Sequence, residues 1–464
     1  MKRKIKNICC IGAGYVGGPT MAVIADKCPD LNVVVVDMNN KRIDAWNSED
    51  LNNLPIFEPG LSKVIKKCRG RNLHFVSDVE KNIGDADMIF ISVNTPTKTK
   101  GLGAGQASDL KWIESCSRQI ANYASGHTIV VEKSTLPVKT AQTIKSILDA
   151  YAIKDNSYDY EKKSFSILSN PEFLAEGTAI NDLIYPDRIL IGGDDEESIL
   201  ILKNIYKNWV AEEKILTTDI WSSELSKLIA NAFLAQRISS INSISALCEA
   251  TEANIENVAK AIGMDSRIGE HFLNAGPGFG GSCFKKDISN LIYICNHYGL
   301  NEVAKYWEQV IKINSWQQER ISRIIVDKLF GTISGKTLTI LGFAFKPNTN
   351  DTRESPAISI CQSLLEEGCT LSIYDPKVIN EQIETDLEEF KDSWKKFDDV
   401  YEAARGSDAI IILTGWDEFF DLDYAKLYSG MRFPCWIFDT RNIINAKLAE
   451  SFGFNIWKLG DGSF

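Results

Sequence analysis

Residues Cys9–Thr20 read CCIGAGYVGGPT, and this stretch decides the fold of the N-terminal third. The apolar run Ile5–Ile11 leads directly into a GxGxxG pattern at positions 12–17, and Pro19–Lys27 has the composition of a helix. Asn32–Val36 is a second apolar run, and Asp37 follows it, twenty residues after the last glycine of the pattern. A strand, a glycine turn, a helix and a second strand predict a βαβ unit of a doubly wound parallel sheet.

The glycine pattern in this context predicts a dinucleotide site. The first two glycines permit a tight turn and close approach of a pyrophosphate, the third permits helix–strand packing, and the phosphates lie on the helix N-terminus. Asp37 would hydrogen-bond the adenosine ribose and repel a 2′-phosphate, which favours NAD over NADP, although Arg42 could instead bind such a phosphate. The predicted cofactor residues here are Gly12, Ala13, Gly14, Tyr15, Val16, Gly17, Asp37 and Arg42.

Polar segments follow three later strands. Met88–Val93 delivers Asn94-Thr95-Pro96-Thr97 to the carboxyl edge of the sheet, where ligands bind in open α/β folds, and Thr128–Val131 delivers Glu132-Lys133-Ser134-Thr135. Ser166–Leu168 leads to Asn170–Gly177, in which Asn at the cap, Pro at the first helical position and Gly at the end predict a short helix. Glu172 and Glu176 would share a face of that helix. The glycine-rich Lys98–Ser108 predicts a mobile surface loop or a lid.

The middle of the chain is predicted to be helical. Trp221–Glu249 contains no Pro or Gly and predicts one long helix, with shorter helical segments at Ile255–Ile262 and Val303–Leu329. Lys227 and Asn231 lie four residues apart on the long helix, so both could donate to one oxyanion. The apolar remainder of that helix predicts a dimer interface or an interdomain core.

The last third repeats the first. Lys336–Leu341 is followed by Gly342-Phe343-Ala344-Phe345-Lys346, Leu371–Tyr374 ends in Asp375, and Asp408–Leu413 mirrors the third strand of the first repeat. This second doubly wound domain lacks two of the glycines and predicts a phosphate-bearing group held by Lys346 rather than a dinucleotide. The predicted fold class is α/β, with two Rossmann-like domains joined by a long central helix and a helical domain. The predicted domains are 1–217 for NAD binding, 218–330 for dimerisation and 331–464 for a nucleotide-linked sugar.

Cys283 lies in the segment Gly276–Asp287, which reads GPGFGGSCFKKD. The polar run after the glycines can begin a helix, so the thiol would lie near a positive helix end with Lys286 three positions on, and both favour the nucleophilic thiolate. An inert packed thiol is the alternative for a lone cysteine. With an NAD domain in the chain, the sequence predicts oxidation of a primary alcohol to a carboxylate through an aldehyde held covalently by Cys283.

The predicted catalytic roles follow from this chemistry. Lys227 and Asn231 would stabilise the oxyanions, and Glu172 would activate water to hydrolyse the thioester. Asp287 would take the thiol proton or orient its partner. An alternative from another class is a non-catalytic, NAD-sensing assembly protein built on the central helix.

Composition excludes several classes of protein. The 464 residues are 44% apolar and 24% charged, as in ordinary globular proteins, and the net charge of −11 argues against a nucleic-acid partner. No run approaches the length of a membrane span, and Met1–Lys6 lacks the apolar segment of a signal peptide. The eleven cysteines and four histidines show no metal-binding spacing, so no metal and a reduced, cytoplasmic compartment are predicted.

Six segments together resemble the UDP-glucose/GDP-mannose dehydrogenase family, and within it the UDP-glucose 6-dehydrogenases of the animal-type branch. They are Cys9–Thr20, FISVNTPTKT (Phe90–Thr99), SNPEFLAEGTAI (Ser169–Ile180), Ser222–Thr251, GFGGSCFKKD (Gly278–Asp287) and ILGFAFK (Ile340–Lys346). The resemblance extends across nearly the whole chain. It implies NAD-dependent oxidation of UDP-glucose to UDP-glucuronate, with other nucleotide sugars such as a UDP-N-acetylhexosamine or GDP-mannose as the alternative substrates.

The resemblance also implies a set of site residues. Thr135 joins the catalytic residues by positioning a water. Further NAD contacts would come from Val93, Asn94, Thr95, Pro96, Thr97, Ser134, Thr135, Leu136, Glu176, Cys283, Phe284, Lys285, Lys286 and Arg353. Substrate contacts would come from Glu172, Phe173, Leu174, Ala175, Glu176, Lys227, Asn231, Arg267, Asn274, Gly276, Gly278, Phe279, Gly280, Phe345, Lys346 and Arg441.

Arg267 is implied to reach the site of a neighbouring subunit, which predicts a homo-oligomer, either a dimer or a hexamer. Two positions depart from the animal-type pattern. Asn274 occupies a position where lysine is usual, and Thr440 replaces a glycine before Arg441. These changes are expected to alter substrate affinity while leaving the chemistry intact.

Overall fold

The structure, a computed structural model, describes residues 5–134, 137–155 and 163–463. The chain divides into two compact units, a first unit of Met1–Ala230 and a second unit of Asn231–Phe464. The predicted α/β class with two doubly wound sheets is confirmed, because each unit contains one such sheet.

Among the described residues of the first unit, eight strands form one sheet in the order β3-β2-β1-β4-β5-β6-β7-β8. The strands are β1 Asn7–Ile11, β2 Asn32–Val36, β3 Leu73–Val76, β4 Met88–Ile91, β5 His127–Glu132, β6 Ser164–Ser169, β7 Ile189–Gly193 and β8 Ile215–Thr218. All neighbouring pairs are parallel except β6 and β7, which are antiparallel.

Helices cover both faces of this sheet. They are α1 Gly17–Lys27, α2 Asn40–Asn47, α3 Leu61–Cys68, α4 Val79–Gly84, α5 Lys111–Tyr123, α6 Thr140–Asp155, α7 Ala179–Ile184 and α8 Glu196–Tyr206. Along β1, Ile8 and Cys10 enter one hydrophobic core while Cys9 and Ile11 enter the other, because successive strand side chains point to opposite faces. Burial on both faces explains the continuous apolar runs from which the strands were predicted.

The long helix α9, Ile220–Ala250, confirms the single helix predicted over Trp221–Glu249. Three further helices of the second unit follow: α10 Ile255–Gly263, α11 Phe284–His297 and α12 Asn301–Lys328. Cys283 is the N-cap residue of α11, so the predicted helix after the glycine loop is also confirmed.

The described part of the second unit contains a six-stranded parallel sheet in the order β11-β10-β9-β12-β13-β14. Its strands are β9 Thr337–Leu341, β10 Thr370–Tyr374, β11 Trp394–Phe397, β12 Ala409–Ile412, β13 Trp436–Asp439 and β14 Asn455–Lys458. Its helices are α13 Pro356–Glu366, α14 Asn380–Asp386, α15 Val400–Ala404, α16 Tyr424–Gly430 and α17 Ala446–Ser451. In both sheets the strand order reverses beside the first strand, at β1/β4 and at β9/β12, where open α/β sheets bind ligands.

The helix predicted over Asn170–Gly177 is wrong. This segment is irregular and turn structure, and α7 begins only at Ala179. Asn170 does not act as a helix cap, because its side chain accepts from Lys133 and Tyr206 and donates to Leu190 O. Glu172 and Glu176 therefore do not share a helical face.

The glycine-rich segment Lys98–Ser108 forms a closed turn. Thr97 and Ser108 make an antiparallel bridge at its base, and Lys98 N donates to Ala107 O at 2.8 Å. Internal hydrogen bonds satisfy part of the backbone N–H and C=O groups of this segment. Its function as a lid stays a prediction. Across the described ranges, no helix combines the length and apolar character that crossing a membrane requires.

Candidate active site

The glycine turn after β1 is shaped by close backbone contacts. Gly12 has φ +110°, and a Cβ there would clash with Ser92 O on the strand-end segment after β4. A Cβ on Gly17 would clash with Gly12 O. A Cβ on Gly14, in contrast, would meet no described atom within 4 Å, so the turn leaves open space above its middle. The turn is therefore narrow where it meets the sheet and open where a ligand would approach.

The start of α1 fits a pyrophosphate. In this fully described helix the N-cap residue Val16 makes no side-chain cap and the first turn carries no acidic residue. The first N–H groups of a helix have no intrahelical acceptor, and phosphate oxygens satisfy them. The turn and helix thus fit the phosphates of NAD.

Asp37 occupies the position expected for a ribose contact. Its Oδ2 accepts from Ala13 N at 3.0 Å and from Arg42 Nη1 at 3.0 Å, and its Oδ1 accepts from Asn39 N. The guanidinium of Arg42 is thus paired with a carboxylate rather than left to a 2′-phosphate. This arrangement favours the NAD alternative over NADP.

Two predicted cofactor segments meet at the carboxyl edge of the first sheet. Ser134, after β5, donates its hydroxyl to Val93 O, after β4, at 2.7 Å. Thr95 is buried, and Pro96 O accepts from Asp109 N at 2.7 Å, which holds Asn94–Thr97 in place. The predicted residues Thr135 and Leu136 lie outside the described residues.

Glu172 forms a buried ion pair that the sequence did not indicate. Its Oε2 lies 2.9 Å from Lys133 Nζ, and the side chains are 13% and 2% exposed. Lys133 also donates to Asn170 and Tyr206, and Thr20 on α1 donates to Glu172 at 3.4 Å. Lys133 follows β5 and Glu172 follows β6. Because these strands are parallel neighbours, the two residues lie together at the carboxyl edge of the sheet.

This pairing sets the charge of the carboxyl group. Burial alone would raise the pKa of Glu172, but Lys133, with Lys227 and the Phe173 N–H, outweighs burial and lowers the pKa. Burial alone would likewise lower the pKa of Lys133, and Glu172 with Tyr206 raises it. Both groups are therefore charged at neutral pH.

We expect Lys133→Met to reduce the free energy of unfolding by about 3 to 5 kcal/mol, because Glu172 would be left as an uncompensated buried charge. In the wild type, the contribution of Glu172 is present above its ordinary pKa and is lost as pH falls through its lowered pKa. Urea denaturation at several pH values measures both effects. Lys203→Met is the matched control, because Lys203 pairs with Glu212 at the surface and its loss should change stability little. Equal effects of the two substitutions would contradict the role of the buried pair.

The segment after Glu172 is held by a second set of contacts. The N–H groups of Phe173 and Leu174 donate to the Glu172 Oε1 at 2.8 and 3.1 Å. Ala175 N donates to Asp182, and buried Glu58 accepts from Gly177 N at 2.7 Å. Glu176 is half-buried in the turn before α7. These contacts explain why the predicted substrate residues Phe173–Glu176 have a defined conformation without a helix.

Lys227 and Arg188 both contact the ring of Phe173. The Arg188 Cζ lies 3.8 Å from the ring centroid and the Lys227 Nζ lies 5.4 Å from it. Lys227 is buried on α9, whereas Arg188 precedes β7 and is partly exposed. The sequence does not single out Arg188, because the residues beside it in the chain do not distinguish it from a solvated cation.

In the second unit, Cys283 is exposed at the start of α11. Ser282 Oγ lies 3.5 Å from the Cys283 Sγ, and Asp287 N donates to Cys283 O at 2.8 Å in the first turn. The N–H groups of a helix start carry a partial positive charge, and Lys286 follows Cys283 in the first turn of α11. The structure thus places the Cys283 thiol at the exposed helix start, and its role as a nucleophile stays a prediction.

Asn231 and Asp287 form a buried contact within the second unit. The Asn231 Nδ2 donates to the Asp287 Oδ2 at 2.6 Å, and the residues are 5% and 2% exposed. The contact fixes the amide of Asn231, so its orientation depends on a residue one helical turn after Cys283. Two predicted catalytic residues, Asn231 and Asp287, are therefore brought together.

The loop before Cys283 requires glycine at particular points. Gly278 has φ +128°, and a Cβ on Gly280 would lie 2.5 Å from Glu354 O. Between them, Phe279 N donates to the Asn314 Oδ1 at 2.8 Å, and the Asn314 Nδ2 donates back to Phe279 O at 3.1 Å. These two hydrogen bonds to Asn314, a residue of α12, fix the loop. Asn314 is a further supporting residue that the sequence did not reveal.

Arg441 is half-buried beside the same loop. Its Nε donates to Leu413 O at 2.7 Å and its Nη2 to Phe345 O at 3.4 Å, while a Cβ on Gly276 would lie 3.2 Å from the Nη1. Burial lowers the pKa of Arg441 to about 10, against the raising effect of Asp439, so the guanidinium is charged at neutral pH. Lys346 Nζ lies 5.6 Å from the Phe345 ring. Gly276, Phe345, Lys346 and Arg441 thus form one cationic corner.

The other predicted contact residues of the second unit have partners or surroundings of their own. Arg267 is highly exposed and pairs with Asp265 at 2.6 Å, and Asn274 is exposed. Lys285 pairs with Glu354 at 2.8 Å, and Arg353 pairs with Asp351 at 2.6 Å. Thr440 is buried and donates to Ile412 O at 2.5 Å, so the departure at this position supports the strand end before Arg441.

Asp375 differs from its counterpart Asp37 in its bonding. The carboxylate is buried and accepts from Phe343 N, Ala344 N, Lys377 N, Val378 N and Trp416 Nε1. Five protein donors leave little capacity for a ribose. The expectation of a phosphate-bearing group rather than a dinucleotide at the second sheet stays a prediction. Within the described ranges, no cluster of three or more metal-binding side chains occurs.

Comparison with known proteins agrees with this two-sheet arrangement. Three domain models of the UDP-glucose/GDP-mannose dehydrogenase family match the chain: the NAD binding domain at residues 6–210, the central domain at 221–316 and the UDP binding domain at 339–446.

Individual relatives match over nearly the full length. The chain is 55% identical to "UDP-glucose 6-dehydrogenase 1" of Oryza sativa subsp. japonica over 475 aligned positions, covering 98% of this chain and 97% of the relative. It is also 55% identical to "UDP-glucose 6-dehydrogenase 1" of Glycine max with the same coverage. A solved UDP-glucose dehydrogenase from Pyrobaculum islandicum superposes with a TM-score of 0.84 at 29% identity, covering 99% of this chain and 98% of that one. The chain therefore belongs to the UDP-glucose/GDP-mannose dehydrogenase family.

Proposed function

We propose that this protein oxidises the primary alcohol of UDP-glucose to the carboxylate of UDP-glucuronate, consuming two NAD⁺ and one water. The observation that carries the proposal is the position of Cys283, exposed at the start of α11 and one turn from the Asn231–Asp287 contact. A dehydrogenase that stops at an aldehyde needs no thiol. Full-length identity of 55% to UDP-glucose 6-dehydrogenases supports this substrate.

The reaction needs two electron-pair removals and one hydrolysis. NAD⁺, when bound at the glycine turn of the first unit, accepts a hydride in each oxidation. Between the oxidations the Cys283 sulfur adds to the aldehyde carbon and forms a thiohemiacetal, which the second oxidation converts to a thioester. Water then cleaves the carbon–sulfur bond, which releases the carboxylate and regenerates the thiol.

Each predicted catalytic residue has a role in these steps. The Asn231 amide and the Lys227 ammonium stabilise the negative oxygens that develop, and one such donor is typically worth about 3 kcal/mol of barrier. Asp287 orients Asn231 and accepts the thiol proton. Glu172, held ionised by Lys133, removes a proton from the attacking water, and Thr135 positions that water. The support for these roles is the buried contacts of Asn231 and Glu172 and the family resemblance at each position.

Binding is assigned to the remaining predicted residues. The cationic corner of Lys346 and Arg441 suits a diphosphate, because a guanidinium and an ammonium both donate to phosphate oxygens. The glycine turn, Asp37 and the Val93–Ser134 contact support the assignment of NAD to the first unit.

Several finer features belong to the same proposal. The domains would extend over residues 1–217, 218–330 and 331–464, in line with the three matched segments. The protein would act in the cytoplasm as a homo-oligomer, a dimer or a hexamer, with Arg267 contributing to the partner's site. The resemblance to the animal-type branch remains a prediction, since the two closely matching relatives described above come from plants.

The stoichiometry of cofactor reduction tests the proposed function. We expect two NADH per UDP-glucose consumed, measured by NADH absorbance against UDP-glucuronate formed. One NADH per sugar would indicate an enzyme that releases the aldehyde. No NADH with UDP-glucose, but turnover with a UDP-N-acetylhexosamine or GDP-mannose, would reassign the substrate. No turnover with any of these sugars, but retained NAD binding, would favour an NAD-sensing assembly protein.

A further inference from the structure

Two buried amide side chains bind the first residue of the loop Gly276–Cys283. Asn242, on α9, accepts from Gly276 N through its Oδ1 at 2.9 Å. Gln317, on α12, donates its Nε2 to Gly276 O at 3.1 Å, and the same nitrogen lies 3.5 Å from the Ser245 hydroxyl. Asn242 and Gln317 are each 0% exposed. The two amides therefore satisfy both the N–H and the C=O of Gly276 where water does not reach.

Gln317 and Asn314 bind the loop from one face of α12. They lie three residues apart, so their side chains are neighbours on the helix surface. The loop residues that they bind, Gly276 and Phe279, are also three residues apart. One helix therefore holds the loop at two successive points, first at Gly276 and then on the side nearer Cys283.

Arg320 fixes the orientation of the Gln317 amide. The Arg320 Nη1 donates to the Gln317 Oε1 at 3.2 Å, and a guanidinium has only donors. The amide oxygen must therefore face Arg320, which directs the Nε2 toward Gly276 O. Arg320 is itself paired with Glu249 at 2.5 Å, with side chains 12% and 16% exposed, and Glu249 also accepts from Gly460 N at 2.7 Å. A continuous set of polar contacts thus determines which atom of Gln317 meets the loop.

Gly276 lies against the guanidinium of Arg441. A Cβ on Gly276 would be 3.2 Å from the Arg441 Nη1 and 3.8 Å from its Cζ. The Nε and Nη2 of the same guanidinium donate to Leu413 O and Phe345 O. In such close packing, Gly276 cannot move toward Arg441 without displacing the guanidinium, and it cannot move away without opening a gap. The position of Gly276 therefore determines the position of the Nη1.

We propose that Gln317 and Asn242 are positioning residues of the diphosphate site. By binding the C=O and the N–H of Gly276, they hold this residue against Arg441, so that the guanidinium meets the phosphates of a nucleoside diphosphate in one orientation. Arg320 contributes by orienting Gln317. This inference rests on the assignment of the UDP-sugar to the cationic corner of the second unit.

The dissociation constant of UDP, measured by calorimetry, tests the proposal. Gln317→Met keeps the length of the side chain but removes the donor to Gly276 O, which should weaken UDP binding about tenfold. Gln317→Glu keeps the oxygen that faces Arg320 but presents a second oxygen to Gly276 O. Because two acceptors repel each other, this variant should also bind UDP about tenfold more weakly. Asn242→Leu removes the acceptor for Gly276 N and should have an effect of similar size.

Steady-state kinetics separate positioning from a general loss of stability. In the Gln317 variants, the KM for UDP-glucose should rise by the same factor as the dissociation constant of UDP. The kcat and the KM for NAD⁺ should stay near the wild-type values, because the lost interaction acts equally on bound substrate and transition state. A variant that is merely less stable would keep both KM values below its melting temperature.

Gln382→Met is the matched control, because Gln382 lies on α14 of the same unit and donates to Asp386 of its own helix at 3.1 Å. The same chemical change there should leave the affinity for UDP unchanged. If Gln317→Met does not fold, Gln317→Glu decides the question, because it keeps its contact with Arg320.

Normal affinity for UDP in folded Gln317→Glu or Gln317→Met would overturn the proposal. Equal weakening in Gln382→Met, or a fall in kcat with an unchanged KM for UDP-glucose, would do the same. Wild-type protein that binds no UDP would instead refute the assignment of the UDP-sugar to the second unit.

Discussion

Cys283→Ser is expected to lower turnover of UDP-glucose by at least about 10³-fold while NAD⁺ binding survives. A serine hydroxyl keeps the shape of the thiol, but its proton is far less acidic, so the helix start and Lys286 cannot produce an alkoxide. Steady-state NADH formation measures the loss, and titration of bound NAD⁺ verifies that the first unit is intact.

Cys295→Ser provides the control for Cys283→Ser. Cys295 lies on the same helix but is buried, so its replacement should affect stability more than turnover. Formation of UDP-glucuronate by the Cys283→Ser variant at a rate near that of the wild type would exclude a covalent thioester.

Glu172→Gln is expected to reduce turnover by about 10² to 10⁴-fold and to trap the thioester on Cys283. A carboxamide cannot take a proton from water, while the two oxidations do not require this carboxylate. Because Lys133 and its neighbours lower the pKa of Glu172, the wild type keeps its base at neutral pH and loses it only as the solution becomes acidic. Intact-protein mass spectrometry after addition of UDP-glucose and NAD⁺ detects the adduct.

The double variant Glu172→Gln/Cys283→Ser should show no adduct, which identifies the sulfur as the point of attachment. Glu172→Gln also leaves Lys133 without its charged partner, so a loss of stability is expected alongside the kinetic effect. Folded Glu172→Gln protein that turns over slowly with no adduct would contradict the hydrolytic role.

The strands and long helices could be predicted from sequence because their signals are local. Val33–Val36 is a run of β-branched residues, and the strand predicted over Asn32–Val36 has the bounds found for β2. The absence of Pro and Gly around Lys227 and Asn231 was likewise sufficient to predict α9. Each of these elements is specified by its own composition, whatever it packs against.

The helix predicted over Asn170–Gly177 is wrong because the conformation of this segment depends on distant contacts rather than on its own composition. Its Asn-Pro start and Gly end are ordinary helix signals, but the Asn170 side chain is bound in the buried group with Lys133 and Tyr206. The Glu172 carboxylate accepts from the N–H groups of Phe173 and Leu174. In a helix, these N–H groups would be bound at the helix start instead. Tertiary contacts between segments distant in sequence outweighed a local preference.

The supporting residues of the site were also invisible in the sequence. In the sequence, Lys133 has no feature that separates it from a solvated lysine, and its partner is found only once β5 and β6 are paired. Asn314 likewise resembles any amide on a helix, and its bond to the glycine loop is found only in the folded structure. Asp37 and Asp375 each follow the second strand of a βαβ unit, so the sequence pattern is the same at both positions. In the structure, only the Asp37 carboxylate keeps hydrogen-bonding capacity for a ligand. Sequence patterns singled out the predicted reacting groups, while the residues that set the charge and orientation of those groups depended on the packed structure.

The distribution of thiols has a practical consequence. All eleven cysteines lie in the described residues, and ten are buried while Cys283 alone is exposed. A mild electrophile added to the native protein would consequently label one sulfur per chain, so the label counts competent sites in a preparation. The same asymmetry leaves the Cys283 sulfur open to oxidation by peroxide before any buried sulfur is touched.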